Sequence, residues 1–404
     1  MSLDILFLTR LFPREKEQEI KKKMKTGMQD AANALQWNII DGIEENGGEA
    51  LRILNYLPVD AYPNGYTDKF IEEFTFDHKG EGSNEDLNVG CCNIFGIKRF
   101  INSLFFRKHL KRWAKEKTDK KKVFLCYTAT TFSLGLARLC KKYNKNVETA
   151  CIIADIPEFA TARQMTGIKE IYRKYQVKRC AMLYDCIDKY VLLTDQMAGK
   201  LNISSPYMVM EGIATTENKS HVATDKKERY VLYTGTLNFG FGIKVLLDAF
   251  TKMENKDAKL KICGFGEAEQ MIKEMQATDN RIDFRGKVDR SEALRLQRNA
   301  TVLVNPRQNN EEFTKYSFPS KNLEYLSSGV PLVAYKLDGI PREYDEYIIY
   351  PADDSPEELA RKLDEILNMP EGERASLGAR AKDFVYENKN KKVQAKRVLD
   401  FLQK

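Results

Sequence analysis

The stretch Tyr316-Ser317-Phe318-Pro319-Ser320-Lys321-Asn322-Leu323-Glu324-Tyr325-Leu326-Ser327-Ser328-Gly329-Val330-Pro331 reads as a tight loop, a short helix and a hard stop. Pro319 and Ser320 suit a helix entrance. Gly329 suits the position just past the helix end, and Pro331 blocks continuation. Val330, Leu332 and Val333 then begin a buried strand. A loop opening on a helix N-terminus offers backbone N–H groups without intrahelical partners and a partial positive charge, which together can hold a phosphate. Lys321 adds a full charge in the first turn. Glu324 lies about one turn further in, on the face that looks back toward the opening. A diphosphate cradle with a carboxylate beside it suits a nucleotide-sugar site. An ordinary capped helix between two core strands accounts for the same residues equally well.

Outward from this segment, short apolar runs alternate with amphipathic helices, the mark of a parallel, doubly wound α/β sheet. In the first half, Asp4–Thr9, Ala50–Tyr56, Lys122–Tyr127, Val147–Ile153 and Lys189–Leu193 read as strands. Helices are expected over Gly27–Glu45, Phe132–Tyr143 and Lys169–Tyr184, and Leu57–Asn93 reads as an elaborated irregular region. The polar segment Thr215–Lys227 is the best linker. Beyond it the alternation restarts with strands Tyr230–Tyr233, Leu260–Cys263, Ile282–Phe284 and Thr301–Asn305. Ser355-Pro356-Glu357-Glu358 reads as a capping box with Pro at the first helical position. One basic final helix is expected over Ala379–Leu402.

Composition narrows the function. The chain has 404 residues, 43% hydrophobic and 30% charged, enough for two or three domains with their own cores. Its eight cysteines form no CxxC pair, so reduced, buried thiols in a cytoplasmic protein are expected. None of the three histidines (His78, His109, His221) neighbours a Cys or another His at ligand spacing, which argues against a zinc site. No stretch approaches the roughly eighteen apolar residues of a membrane span, and the N-terminus lacks a signal peptide. Net charge is +7, with eleven Lys/Arg against two acids between Ile97 and Lys122. Apolar residues interleave with those cations, as in a basic amphipathic helix that docks on anionic lipid. A solvated helix face with one stripe packed on the core reads the same residues equally well. Nucleic-acid binding is disfavoured, because no nucleic-acid module accompanies the charge.

Three strand-to-helix turns in the second half carry small residues: Gly235-Thr236-Leu237, Gly264-Phe265-Gly266 and Gly286. In an open α/β sheet, ligands collect outside the carboxyl ends of the strands, where these turns lie. Glu269 occupies the third glycine position of a dinucleotide fingerprint after Gly264 and Gly266, so a nicotinamide dehydrogenase is disfavoured. Several ordered motifs accompany the turns: Tyr233-Thr234-Gly235-Thr236-Leu237, Phe241-Gly242-Ile243, Ile262-Cys263-Gly264-Phe265-Gly266, Phe284-Arg285-Gly286, Val304-Asn305-Pro306 and Leu323–Pro331. Over about residues 229–370 this set resembles the C-terminal domain of retaining glycosyltransferases of GT-B fold. The likeness is nearest to the family 4 type that builds bacterial capsule, exopolysaccharide and lipopolysaccharide. The first half resembles that fold in architecture and in Tyr190-Val191-Leu192-Leu193-Thr194-Asp195.

The resemblance implies two Rossmann-like, doubly wound domains facing a central cleft. An acceptor-side domain spans 1–214, a linker 215–228 and a nucleotide-sugar domain 229–385, with a final helix over 386–404 packing back on the first. It implies a metal-independent enzyme that moves a hexose, with retention, from a nucleotide-diphosphate sugar to a glycan or lipid-linked acceptor. It requires no cofactor beyond that donor. The expected location is the cytoplasm, with 97–122 as a candidate contact to the inner face of the membrane. Glu324 matches the second glutamate of the family's E-x7-E motif, which holds the ribose. Ser317, Phe318, Ser320, Lys321 and Asn322 match the diphosphate loop. Gly235, Thr236, Gly264, Gly266 and Val288 match donor-facing turns.

The chain departs from the family pattern at several places. Tyr316 stands where the first motif glutamate belongs, so Glu312 (with Glu311 beside it) is the substitute carboxylate. The usual Arg and Lys after the first strand are replaced by Thr236 and Phe241, leaving Arg307 and Lys321 to meet the phosphates. Asp155 follows Ala154, where the family often has a histidine. Catalytic roles are therefore expected of Glu312, Asp155 and Lys321. The rival readings are a non-catalytic GT-B subunit and a nucleotide-sugar epimerase.

Overall fold

The computed structural model describes residues 2–27, 30–80, 82, 85–159, 167–215 and 228–404, without the side chains of 99–100 and 168–169. The linker expected at 215–228 falls almost wholly outside them, as does Met28 of the first expected helix. The chain forms two compact units: Met1–Ile213 with Lys391–Lys404, and Ala214–Asn390.

The first unit runs β1 (Leu3–Thr9), α1 (Glu17–Lys23), α2 (Asp30–Asn46), β2 (Ala50–Asn55), β3 (Phe70–Ile71), β4 (Phe74–Phe76), β5 (Asp86–Asn88), β6 (Cys91–Cys92) and α3 (Lys98–Lys115). It continues with β7 (Lys121–Tyr127), α4 (Thr131–Tyr143), β8 (Glu148–Ile153), α5 (Ile168–Ala181), β9 (Lys189–Leu192), α6 (Gln196–Lys200) and β10 (Tyr207–Val209). Its main sheet has the order β10-β9-β8-β7-β1-β2-β5-β4, parallel except at the β4–β5 edge. Helices on both faces bury β1 and β7 on both sides, which is why they read as unbroken apolar runs.

The region 57–93, expected to be irregular, contributes strands. β5 pairs with β2 and β4 with β5, while β3 and β6 form a separate antiparallel pair. Each has only two or three residues, too few to show alternation in sequence.

The second unit runs β11 (Tyr230–Thr236), α7 (Ile243–Lys252), β12 (Lys259–Phe265), α8 (Glu269–Thr278), β13 (Ile282–Gly286), α9 (Arg290–Asn299), β14 (Val302–Asn305) and α10 (Ser320–Ser327). β15 (Leu332–Ala334), β16 (Ile348–Ile349), α11 (Pro356–Asn368) and α12 (Glu371–Asn388) complete it. All six strands are parallel, in the order β13-β12-β11-β14-β15-β16. The Ser355 hydroxyl accepts from the Glu358 N–H, as the capping box requires. The Glu358 carboxylate, however, reaches the Ala352 N–H, and the Ser355 N–H goes to Asp353.

The single final helix expected over Ala379–Leu402 is two. α12 ends at Asn388, and α13 (Lys391–Gln403) begins after a break at Lys389-Asn390. No Pro or Gly marks the break. It is held instead by the buried Lys389 ammonium, which pairs with Glu343 at 2.6 Å and lies over the Tyr344 and Phe384 rings. α13 belongs to the first unit and packs along α2. A side chain at Gly42 would stand 2.2 Å from the Lys391 carbonyl oxygen, so glycine lets the two backbones approach.

Candidate functional site

The quoted segment folds as the loop and helix the sequence implies, in the crossover from β14 to β15. The Asn305 side-chain amide at the carboxyl end of β14 donates from Nδ2 to the Asn322 Oδ1 at 2.7 Å, pinning the first turn of α10 to the sheet. Pro319 occupies the N-cap and no side chain caps the helix. The Asn322 N–H turns back to the Pro319 carbonyl at 2.8 Å, so the Ser320 and Lys321 N–H groups are the first-turn donors that helix geometry leaves facing the loop. The Asn322 side-chain Nδ2 is buried without a hydrogen-bond partner.

Glu324 sits on the flank of this opening. Gln297 of α9 donates to its Oε1 at 2.6 Å and Lys321 to the same oxygen at 2.8 Å. Burial opposes its charge, but the Lys321 ammonium and these hydrogen bonds outweigh that and hold the carboxyl below its usual pKa. Gln297 also donates to the Thr234 hydroxyl at 2.9 Å. The buried Tyr325 hydroxyl accepts from the Thr234 N–H at 2.8 Å and donates to its carbonyl at 2.9 Å. β11, α9 and α10 are thus laced together around the carboxylate. Sequence reasoning missed Gln297, Thr234 and Tyr325. The legible signal was Gln297 beside Leu296 on the inner side of α9, where a glutamine needs partners.

Arg307 lies at the other side of the loop. Its Nη2 donates to the Ser317 hydroxyl at 2.8 Å, and its guanidinium stacks 5.2 Å from Phe241 and 4.8 Å from Phe313. Its Nε is buried without a partner, and no carboxylate pairs with it among the described residues. Burial pushes its pKa down to about 10, which still leaves it charged at neutral pH. A guanidinium held by aromatic rings with donors unspent is suited to an anion.

The other donor-site expectations separate by structure. The Phe318 ring is buried 5.2 Å from Tyr344, so its backbone is what it can offer a ligand. Asn322 is likewise interior, with its side chain tied to the strand end. Gly264 and Gly266 have packing reasons of their own. A Cβ on Gly264 would stand 1.8 Å from the Gly235 carbonyl oxygen, and one on Gly266 2.6 Å from that of Leu237. Val288 precedes Asp289, the N-cap of α9, and is partly buried against the core. Thr236 and Ser320 are exposed at the carboxyl end of β11 and the start of α10. Glu312 is exposed in the short 3-10 turn Glu312–Tyr316 that carries Tyr316. Asp155, in the first unit, is exposed just past β8.

Asp77, His78 and Asp86 bring ligand-type atoms within 4.8 Å of one another. The Asp86 oxygens are already taken by the Ile53 N–H, the His78 N–H and the His78 ring at 2.6 Å, which suits a buried ion pair better than a metal. Among the described residues no helix is long and apolar enough to cross a membrane.

Residues 214–384 match the family of glycosyl transferases group 1. No curated protein sequence matches the chain. Solved structures share its fold at low identity. The lipopolysaccharide outer core galactosyltransferase WaaB superposes with a TM-score of 0.63 at 15% identity, covering 99% of this chain and 100% of that one. HepE from Anabaena, in complex with UDP, gives 0.62 at 12%, covering 99% of both. Sucrose-phosphate synthase from Thermosynechococcus elongatus gives 0.61 at 14%, covering 100% and 98%. The architecture is that of the GT-B fold, with two Rossmann-like α/β units.

Proposed function

We propose that the protein is a glycosyltransferase whose second unit binds a nucleoside-diphosphate sugar over the carboxyl ends of β11 and β14. The observation that carries this reading is the uncapped N-terminus of α10, flanked by an unpaired guanidinium and by an ionised carboxylate. The diphosphate accepts from the Ser320 and Lys321 N–H groups and from Arg307, with the Lys321 ammonium adding charge on the leaving-group side. Glu324, an acceptor only, takes both ribose hydroxyls, as an ionised carboxylate can. The match of 214–384 to glycosyl transferases group 1 supports this reading, as do the HepE structures with UDP and UDP-glucose.

The transfer is of a hexose, with retention, to a glycan or lipid-linked acceptor, as in the polysaccharide-building members of family 4. Glu312 and Asp155 are the carboxylates assigned to catalysis, and Lys321 neutralises the departing phosphate. Fixed cations and amide dipoles do the phosphate electrostatics, so no metal is required and a chelator leaves the rate unchanged. The test is release of nucleoside diphosphate from UDP-, GDP- and ADP-sugars. Lys321→Ala and Arg307→Ala are each expected to lower kcat/KM by about tenfold to a hundredfold, the cost of a charge-assisted hydrogen bond. Full activity in both variants rejects the assignment.

Tyr316 favours a second reading. It stands where the family carries a glutamate, as expected of a subunit that binds nucleotide sugar, or a partner transferase, without turnover. Thermal stabilisation by a nucleotide sugar with no diphosphate released from any donor selects that reading.

A further inference from the structure

The first unit carries a surface that nucleotide chemistry does not require. α3 has no acid in its first turn and none between Lys98 and Lys115. Its inner side (Phe106, Leu110, Trp113) is buried. Its outer side begins with Leu104, 52% exposed, and Phe105, and continues through Lys108, Lys111, Arg112 and Lys115, all exposed. In the turn before it, Phe95 is 82% exposed and Ile97 is exposed as well. The exposed apolar side chains thus gather in the first half of the helix and the turn before it, and exposed cations run from Arg107 to its end.

α5 adds exposed apolar side chains. Ile171, 69% exposed, and Tyr175 share one side of the helix with exposed Lys178. Met182, 74% exposed, follows at its C-cap, while Glu170 in the first turn pairs with Arg173 and Lys174. The crossovers through α3, α4 and α5 all step the same way along the sheet, from β5 past β2 and β1 to β7, then to β8 and β9. Right-handed connections therefore put these three helices on one face, and α4 packs against both of the others. α2 steps the opposite way and lies on the other face, with α13.

We propose that this three-helix face docks on an anionic lipid surface. Phe95, Ile97, Leu104 and Phe105 insert at the headgroup boundary, and the α3 cations meet lipid phosphates. Charge complementarity selects an anionic partner, with eleven Lys/Arg against two acids over 97–122. Large apolar side chains left open at one tip select a partner with an apolar interior over an acidic protein. The inference is independent of the nucleotide site.

The test is flotation of the full chain with vesicles of phosphatidylglycerol and phosphatidylcholine, against phosphatidylcholine alone. Binding is expected only with the anionic lipid, and about 0.5 M salt should release it. Lys111→Ser with Lys115→Ser should weaken binding about thirtyfold, from roughly 1 kcal/mol per lysine near the surface. Phe105→Trp should show a blue-shifted emission on anionic vesicles, a clear signal because native Trp37 and Trp113 are buried. All three positions are exposed, so unchanged thermal unfolding is the folding control. Absence of flotation, equal flotation on both vesicles, or a lipid-free blue shift that grows with protein concentration (a second copy covering the face) overturns the proposal. Nucleoside-diphosphate release from soluble donors reports on the proposed function separately, so either can fail alone.

Discussion

Burial opposes the Glu324 charge, and the Lys321 ammonium 2.8 Å away is the chief influence that holds the carboxyl ionised. Lys321→Met removes that charge while burial remains, and the carboxyl pKa rises. The folded value is depressed, so what the carboxylate contributes is fully present above the ordinary carboxyl value and lost as pH falls through the lowered folded one. The acidic limb of a donor KM–pH profile should therefore move upward in Lys321→Met, and an unmoved limb rules out the pairing. Glu324→Gln keeps the shape but replaces one acceptor with a donor. It should raise the donor KM about tenfold to a hundredfold, from the roughly 1.5–3 kcal/mol of a hydrogen bond to a charged group. At this scale the sequence shows Glu324, Lys321 and Arg307, because charged residues beside a helix start announce themselves. It hides Gln297, Thr234 and Tyr325, since their meeting depends on which strands become neighbours. It also leaves open whether Gly264 and Gly266 face a ligand, since a Cβ clash with Gly235 or Leu237 exists only in three dimensions.

Elements are held by equally local chemistry. The His78 ring, between β4 and β5, is clamped by Asp86 of β5 at 2.6 Å and Glu44 of α2 at 3.1 Å. Burial works against its charge, but the two carboxylates outweigh it and raise the His78 pKa. A raised folded pKa gives stability that is full below the unfolded value near 6.5 and lost as pH climbs through the folded value. The urea midpoint should fall as pH rises from about 6.5, and His78→Gln should flatten that slope. A slope that persists in the variant dismisses the clamp. Gly264→Ala forces the end of β12 off β11 and should cost about 1–3 kcal/mol, read as a lower melting temperature. The long strands and helices were legible because apolar periodicity spans them. β3 to β6 were too short for any period. The break between α12 and α13 carries no helix-breaking residue, only a buried lysine whose partners come from elsewhere in the unit.

The whole molecule consists of two units with separate cores, and only the second holds the proposed donor site. A nucleoside diphosphate at a hundred times its dissociation constant should stabilise that unit by about 2.7 kcal/mol. Amide exchange should slow in β11, α9 and α10 and stay unchanged in β1 and β2; uniform slowing across both would refute a local site. The first unit is discontinuous: α13, which covers α2 next to Gly42, lies beyond the entire second unit in the chain. On a ribosome adding roughly 5–20 residues each second, everything from Ala214 to Asn390 is made before α13 exists. The second unit can finish folding while the first still waits with the apolar side of α2 bare. Order of birth is thus reversed into order of completion. A nascent chain cut at Asn390 and carried clear of the ribosome on a flexible extension should show a protease-resistant second unit beside a first unit that is still cleaved.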